Sequence, residues 1–314
     1  MEKKKPLIIL TGPTAVGKSA LSISLAHKIG GDIISADSVQ VYKRMNVGSD
    51  KITTDKMDGI SHHLIDVLEP TEEFNVVLFK EMAKKCIDDI VSRGKIPIIV
   101  GGTGFYIQAV LYDIDFTATD SDTAFRDQLE KTASIKGNEY LHAILQNVDP
   151  DSAAIIHPNN TKRVIRALEY NYKTGEQISK HNELEHNKIS PYDFRYFVLT
   201  DDRDILYSRI DKRVDKMLDE GLVDEVRSLI ESGVSADMTS MQGLGYKEIV
   251  RYLNGEYDLE RAIYLIKQGT RHFAKRQLTW FRREKEVIWI DKNDFGHEDE
   301  AIIKEILNKS KDIL

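Results

Sequence analysis

The chain has 314 residues, 30% charged and 41% hydrophobic, and carries a net charge of −7. That balance excludes a disordered, collagen-like or membrane-embedded chain and fits a soluble globular protein of two domains, or of one domain with an insertion. The single cysteine, Cys86, excludes an internal disulfide and any zinc site built from several cysteines, and the acidic total argues at first against a nucleic-acid partner.

The basic opening at residues 1–5 precedes an apolar run too short for a signal peptide, and no later stretch could span a membrane. We therefore expect a cytoplasmic protein with no membrane partner. Residues 7–10, Leu-Ile-Ile-Leu, read as a buried parallel strand. Gly12, Pro13, Thr14, Ala15, Val16, Gly17, Lys18 and Ser19 follow with P-loop spacing. In such a turn, backbone N–H groups and the next helix N-terminus surround an anion while a lysine neutralises it. Ala20, Leu21, Leu25 and Ile29 then recur at helical spacing. A glycine turn can join a strand to a helix without a ligand, but it does not then require lysine followed by a hydroxyl.

Ile33 and Ile34 form the centre of a second strand, which puts Asp37 at its carboxyl end beside the P-loop. An aspartate there can hold magnesium, accept a proton, or cap a helix. His62 and His63 are adjacent and poorly placed to share a metal, so we read them as structural or as shaping the site. Val76, Phe79, Ala83, Ile87 and Ile90 predict a helix over 73–93, with Cys86 in its packing and Gly94 as its stop. A strand over 96–100 then meets Gly101, Gly102 and Thr103. A P-loop ATPase carries a metal-binding aspartate at such a strand end, whereas Thr103 offers a hydroxyl. The glycines allow close approach of a backbone or a ligand, or make a tight turn. Alternating strands and helices predict an α/β fold, a P-loop NTPase-like parallel sheet flanked by helices.

Beyond Asp113 the chain turns polar and helix-prone, and residues 114–196 read as a helical insertion domain between core segments 1–113 and 197–314. Within it, Lys162, Arg163 and Arg166 share one helix face opposite Val164, Ile165 and Leu168. Such a face is either solvated or a grip for a polyanion. Residues 204–221 form one amphipathic helix whose apolar stripe of Leu206, Ile210, Val214 and Met217 also contains Arg213. An inward guanidinium needs an anionic partner, a carboxylate or a bound phosphate. Finally, Arg261, Lys267, Arg271, Lys275, Arg276, Arg282 and Arg283 fall in a stretch with no Asp or Glu. Within it Trp280 and Phe281, and before it Tyr246, could stack on bases or belong to a core.

Six motifs in order resemble the tRNA dimethylallyltransferases, also called tRNA isopentenyltransferases, over nearly the whole chain. They are Gly12 to Ser19, Asp37-Ser-Val-Gln-Val-Tyr42, Gly101-Gly-Thr-Gly-Phe-Tyr106, HPNNTKRVIRALE from His157, GLGYKE from Gly243 and KRQLTWFR from Lys275. The P-loop alone is unspecific; the six together are highly specific. The resemblance implies transfer of a dimethylallyl group from dimethylallyl diphosphate to N6 of the adenosine 3′ to the anticodon, tRNA position 37. Lys18, Ser19 and the loop amides would hold the diphosphate, with Mg2+ between it and Ser19. Thr103 and Arg213 match positions that contact the same diphosphate, and Asp37 matches the proposed general base. Asp37, Ser38, Val39, Gln40, Thr103, Arg126, Lys162, Arg163, Val164, Ile165 and Arg166 match tRNA-contacting positions. So do Gln242, Gly243, Leu244, Gly245, Tyr246 and Lys247, and Lys275, Arg276, Gln277, Leu278, Thr279, Trp280, Phe281 and Arg282.

The partner implied is the anticodon stem-loop, and a monomer is expected. Val16 stands where the family commonly has serine, which touches one side-chain contact and not the backbone cradle. With one cysteine and an end near Leu314, the chain resembles the shorter bacterial form rather than eukaryotic relatives with a zinc finger. The residues alone also admit a P-loop nucleotide or small-metabolite kinase, which leaves the basic run without a purpose. A tRNA-binding protein without catalysis leaves Lys18, Asp37 and Arg213 without one.

Overall fold

The computed structural model of the chain describes residues 4–116 and 124–314. The first three residues of the basic opening lie outside the described residues. The chain starts with β1 (Lys5–Thr11), α1 (Lys18–Ile29), β2 (Gly31–Ala36), β3 (His62–His63), α2 (Val76–Ser92), β4 (Ile96–Gly101) and α3 (Gly104–Leu111). Five helices follow: α4 (Ala124–Lys136), α5 (Asn138–Val148), α6 (Pro150–Ile155), α7 (Thr161–Thr174) and α8 (Ile178–His186). Then come β5 (Tyr192–Thr200), α9 (Arg203–Asp219), α10 (Leu222–Glu231), α11 (Tyr246–Leu253), α12 (Leu259–Phe281), β6 (Val287–Asp291) and α13 (Asp299–Ser310).

Two compact units result, Met1–Asp113 with Pro191–Leu314, and Ile114–Ser190. Residues 191–196, expected in the insertion, instead belong to the first unit. β5 pairs with β1 along its whole length, from Lys5 opposite Tyr192 to Thr11 opposite Val198. Asp193 and Arg195 break the apolar run there and hide the start of the strand.

In the first unit six parallel strands lie in the order β3-β2-β4-β1-β5-β6. Successive β1 residues point to opposite faces, and both faces are covered. Leu7 and Ile9 pack with Phe79, Ile87, Ile107 and Phe281. Ile8 and Leu10 pack with Leu21, Leu25, Ile302 and Ile306 on the other side. Each such side chain contributes about 1.5–3 kcal/mol by leaving water.

The helix expected over 73–93 begins after Asn75, whose Oδ1 accepts from the N–H groups of Val77 at 3.0 Å and Leu78 at 3.1 Å. Cys86 lies on this helix, half-buried against the core. His62 and His63 form the short edge strand. His63 lies 3.6 Å from Asp32, a buried carboxylate that also accepts from Lys95 at 2.7 Å and Arg93 at 2.9 Å. This cluster sits at the amino end of β2, away from the P-loop, so the two histidines are structural.

The second unit has its own core, built on Leu129, Leu141, Leu145, Val164, Ile165 and Leu168. Asp149 ties its helices together. Its two oxygens accept from the N–H and hydroxyl of Ser152 at the start of α6, and from those of Ser179 on α8, at 2.7–3.0 Å. Burial alone would push this carboxyl up, but the donors from Ser179 and Ser152 hold it below its usual range. Among the described residues, no helix is long and apolar enough to cross a membrane.

Candidate active site

The P-loop leaves the carboxyl end of β1, the strand between β4 and β5. Thr11 ends that strand buried, its hydroxyl donating to the Gly101 carbonyl at 2.6 Å, so the P-loop and the Gly101-Gly102-Thr103 turn start side by side. Gly12 has φ 145°, and a Cβ there would run into the Leu199 carbonyl oxygen of β5. Glycine is the one residue that meets both demands. Ala15 sits at φ 65° without that freedom, a conformation costing about 1–3 kcal/mol. Gly17 begins α1 with no side-chain cap, which leaves the first amides of the helix for another acceptor.

Lys18 folds back over the loop and donates to the carbonyls of Gly12 at 3.0 Å and Pro13 at 2.8 Å. Burial pushes its ammonium down to about 7; Arg213 pushes the same way and Asp37 opposes. Arg213, on α9, donates from Nη1 to the Thr14 hydroxyl at 3.0 Å. Its Nε lies 3.3 Å from an Asp50 carboxylate oxygen, and its Nη2 donates to the Ser49 carbonyl at 3.4 Å. The inward guanidinium therefore has a carboxylate partner and also reaches the P-loop. Two cations that raise each other's energy beside a ring of backbone amides form a site suited to a multiply charged anion.

Asp37 stands half-buried just beyond β2. Its Oδ1 accepts from the N–H groups of Val39 at 2.8 Å and Gln40 at 3.2 Å, capping a turn rather than a helix. Its Oδ2 accepts from none of the described residues and remains available to a bound group. Thr103 precedes α3, with its N–H donating to the Ala36 carbonyl at 3.4 Å. Asp37, Lys18 and Thr103 thus gather at the carboxyl ends of β2, β1 and β4, where open α/β sheets hold ligands.

Gln277 of α12 locks two of these turns together. It accepts from the Thr14 N–H at 2.9 Å and donates to the Gly102 carbonyl at 3.0 Å. Any Cβ on Gly102 would collide with it. Trp280, one turn on, lies against Gly104 and meets Phe105 edge to face with ring centroids 6.1 Å apart.

The structure corrects several residues placed among the tRNA-contacting stretches. Val164, Ile165, Tyr246, Gln277 and Phe281 are buried, so their side chains serve packing or hold the loops instead of facing a partner. Leu278 is half-buried, and Tyr246 cannot stack on a base. The seven-cation run also divides. Arg271 makes a two-pronged pair with Asp211 at 3.0 Å, and Lys267 pairs with Asp215 at 2.6 Å, which fastens α12 to α9. Lys275, Arg276, Arg282 and Arg283 are exposed, as are Thr279, Ser38 and Gln242. In the second unit Lys162 and Arg163 are exposed, while Arg126 donates to the buried Glu169 at 2.8 Å with Arg166 and Lys173 close by. Gly243, Leu244 and Gly245 lead into α11, where Lys247 is half-buried. Sequence reasoning missed Asp50, Glu225 and the bridging role of Gln277, because each acts through a partner far away in the chain.

A family model described as IPP transferase matches residues 40–284. A tRNA dimethylallyltransferase from Lachnoclostridium phytofermentans is 60% identical over 96% of this chain and 96% of its own. The tRNA isopentenylpyrophosphate transferase structure from Bacillus halodurans is 43% identical, with TM-score 0.74, covering 99% of this chain and 98% of its own. That from Staphylococcus epidermidis is 42% identical, with TM-score 0.72, over 98% and 99%. A eukaryotic dimethylallyltransferase, described as acting on tRNA, is 31% identical with TM-score 0.84, over 98% of this chain and 79% of its own. Agreement of this extent, in sequence and in fold, means that the chain belongs to the IPP transferase family, the family of the tRNA dimethylallyltransferases.

Proposed function

We propose that the protein moves a dimethylallyl group from dimethylallyl diphosphate to N6 of the adenosine next to the anticodon, position 37 of tRNA. The observation that carries this reading is the convergence of Lys18, Thr14 and Arg213 on one loop, with Asp37 and Thr103 at the adjoining strand ends. In the reaction the bond from allylic carbon to diphosphate oxygen breaks, and its electron pair leaves with the diphosphate. The N6 lone pair forms the new carbon–nitrogen bond, and one N6 proton passes to a base.

Lys18, Arg213, the Thr103 hydroxyl and the loop amides stabilise the charge that builds on the departing diphosphate. Because Lys18 and Arg213 are bonded in place before the substrate arrives, little reorganisation is needed at the moment of reaction. Asp37 takes the proton at Oδ2 while Oδ1 stays bound to its turn. An adenine amine is barely basic, so aligning its lone pair matters as much as proton affinity.

Magnesium fits this site through few protein ligands. Among the described residues no group of three or more His, Cys, Asp or Glu could hold a metal. Ser19, at the start of α1, would supply the protein's oxygen to the ion. When bound, magnesium lends positive charge to the leaving diphosphate.

The exposed Lys275, Arg276 and Arg282 suit the phosphates of an anticodon stem-loop, and so, on their own unit, do Lys162 and the exposed Arg163. The target adenosine must leave its stack to be alkylated, which costs less in a single-stranded loop. A tRNA substrate supports a cytoplasmic setting for this work.

The test is to incubate the protein with unmodified tRNA, magnesium and labelled dimethylallyl diphosphate, and in parallel with ATP. Label in tRNA at the N6 position and no ATP turnover are expected. Rapid ATP hydrolysis with unlabelled tRNA would overturn the reading.

A further inference from the structure

We propose that Glu225 is a positioning residue, whose carboxylate fixes the loop that aims Arg213 at the diphosphate. This rests on the reading of Arg213 as a diphosphate ligand.

Residues 46–50 belong to no helix or strand, so their shape depends on distant anchors. Glu225, on α10, supplies the main one. Its Oε2 accepts from the N–H groups of Asn46 at 2.7 Å and Val47 at 2.8 Å. Its Oε1 accepts from the Gly48 N–H at 3.0 Å and from the Tyr246 hydroxyl at 2.8 Å. Three consecutive backbone amides on one carboxylate are charge-assisted bonds and define the loop's path. Burial and the Glu225 carboxylate push the Tyr246 phenol well above its usual range, so it stays a donor to Glu225. The phenol ring then forms a floor under the loop, since a Cβ on Gly48 would lie 2.6 Å from its atoms.

The next two residues are the ones that hold Arg213. Ser49 gives its carbonyl and Asp50 its carboxylate, and Asp50 keeps a left-handed backbone at φ 47° to do so. Gln40, in the turn that Asp37 caps, also donates to the Ser49 carbonyl at 3.2 Å. Glu225 thus controls, through one loop, the guanidinium over the P-loop and a neighbour of the general base. An anchor of stability alone would not have to sit one and two residues away from the groups that hold Arg213.

Glu225→Gln keeps the shape but leaves one acceptor oxygen and turns an NH2 toward backbone donors. Gly48→Ala disturbs the same contact from the loop side. Displacement of a reacting or binding group by about 1 Å can cost 10²-fold. Both variants are therefore expected to bind inorganic diphosphate about tenfold or more weakly and to lose about 10–100-fold in kcat/KM for dimethylallyl diphosphate. Their tRNA Kd should stay within about threefold. Leu229→Val, in the buried stripe of α10, serves as control; it should lower Tm by a few degrees without moving diphosphate affinity.

Wild-type diphosphate affinity in folded Glu225→Gln overturns the proposal. If that variant does not fold, Gly48→Ala decides it by the same readout. A wild type that neither binds diphosphate nor transfers the prenyl group overturns the functional reading and this proposal with it.

Discussion

Lys18 and Arg213 are each tied to two or more protein groups at the strand ends, whereas Lys275, Arg276, Arg282 and Arg283 stand exposed on α12 or just beyond it. The same charge serves two purposes. Cations crowded beside a loop of amides, one of them with its ammonium pushed down to about 7, are held ready for a compact, highly charged anion. Cations in water on a long helix gain little from any single geometry and act as a field on a long polyanion. Removing a cation from the cradle should therefore damage chemistry, and removing one from the helix should damage binding.

Arg213→Gln breaks this division most severely. Loss of one fixed donor to a developing oxyanion is expected to lower kcat by about 10²–10³-fold, with tRNA affinity unchanged. Steady-state kinetics beside a tRNA binding isotherm check it, and a loss of tRNA affinity with kcat intact would merge the two regions into one. Lys275→Gln with Arg276→Gln should do the opposite. We expect about tenfold weaker tRNA binding, and a plot of log affinity against log salt flatter by about 1–2 in slope. An unchanged slope would remove these residues from the phosphate contacts.

Proton linkage gives the smallest effect. Burial pushes the Lys18 ammonium down to about 7, and a diphosphate beside it would raise that value. Below about pH 7 the lysine is already charged, so affinity gains nothing from further acid. Above it, binding takes up a proton and affinity for inorganic diphosphate falls, by up to about tenfold per pH unit until the raised value is reached. Calorimetry at pH 8 in two buffers of different ionisation enthalpy measures that uptake. Lys18→Arg, permanently charged, should remove the lysine's share of it and leave only the proton exchange of the diphosphate itself.

Much of this was legible in the sequence, for identifiable reasons. The P-loop spacing, the apolar cores of β1, β2 and β4, and the stripe on α9 are local patterns, and each appears where the residues put it. The edges of the sheet were not legible. β3 is two residues long, and β6 exposes Trp289, so neither has the apolar run of a buried strand. β5 starts inside the stretch read as the insertion, because Asp193 and Arg195 interrupt its apolar pattern. Within the site, residue type and spacing marked Lys18, Asp37, Thr103 and Arg213. Gln277 and Glu225 escaped because their bonds cross 263 and about 180 positions of chain, a distance over which periodicity carries no information. For the same reason the basic run looked uniform, although Lys267 and Arg271 are engaged by Asp215 and Asp211 of α9.

The separation of chemistry from tRNA grip is tested most directly at Asp37. Single-turnover transfer of labelled dimethylallyl to saturating tRNA should be compared for the wild type and Asp37→Asn, with tRNA Kd measured on the same preparations. The rate is expected to fall by about 10²-fold or more, as for loss of a general base, while Kd stays within about threefold. A variant that transfers at the wild-type rate, or one that loses rate only because tRNA no longer binds, would contradict it.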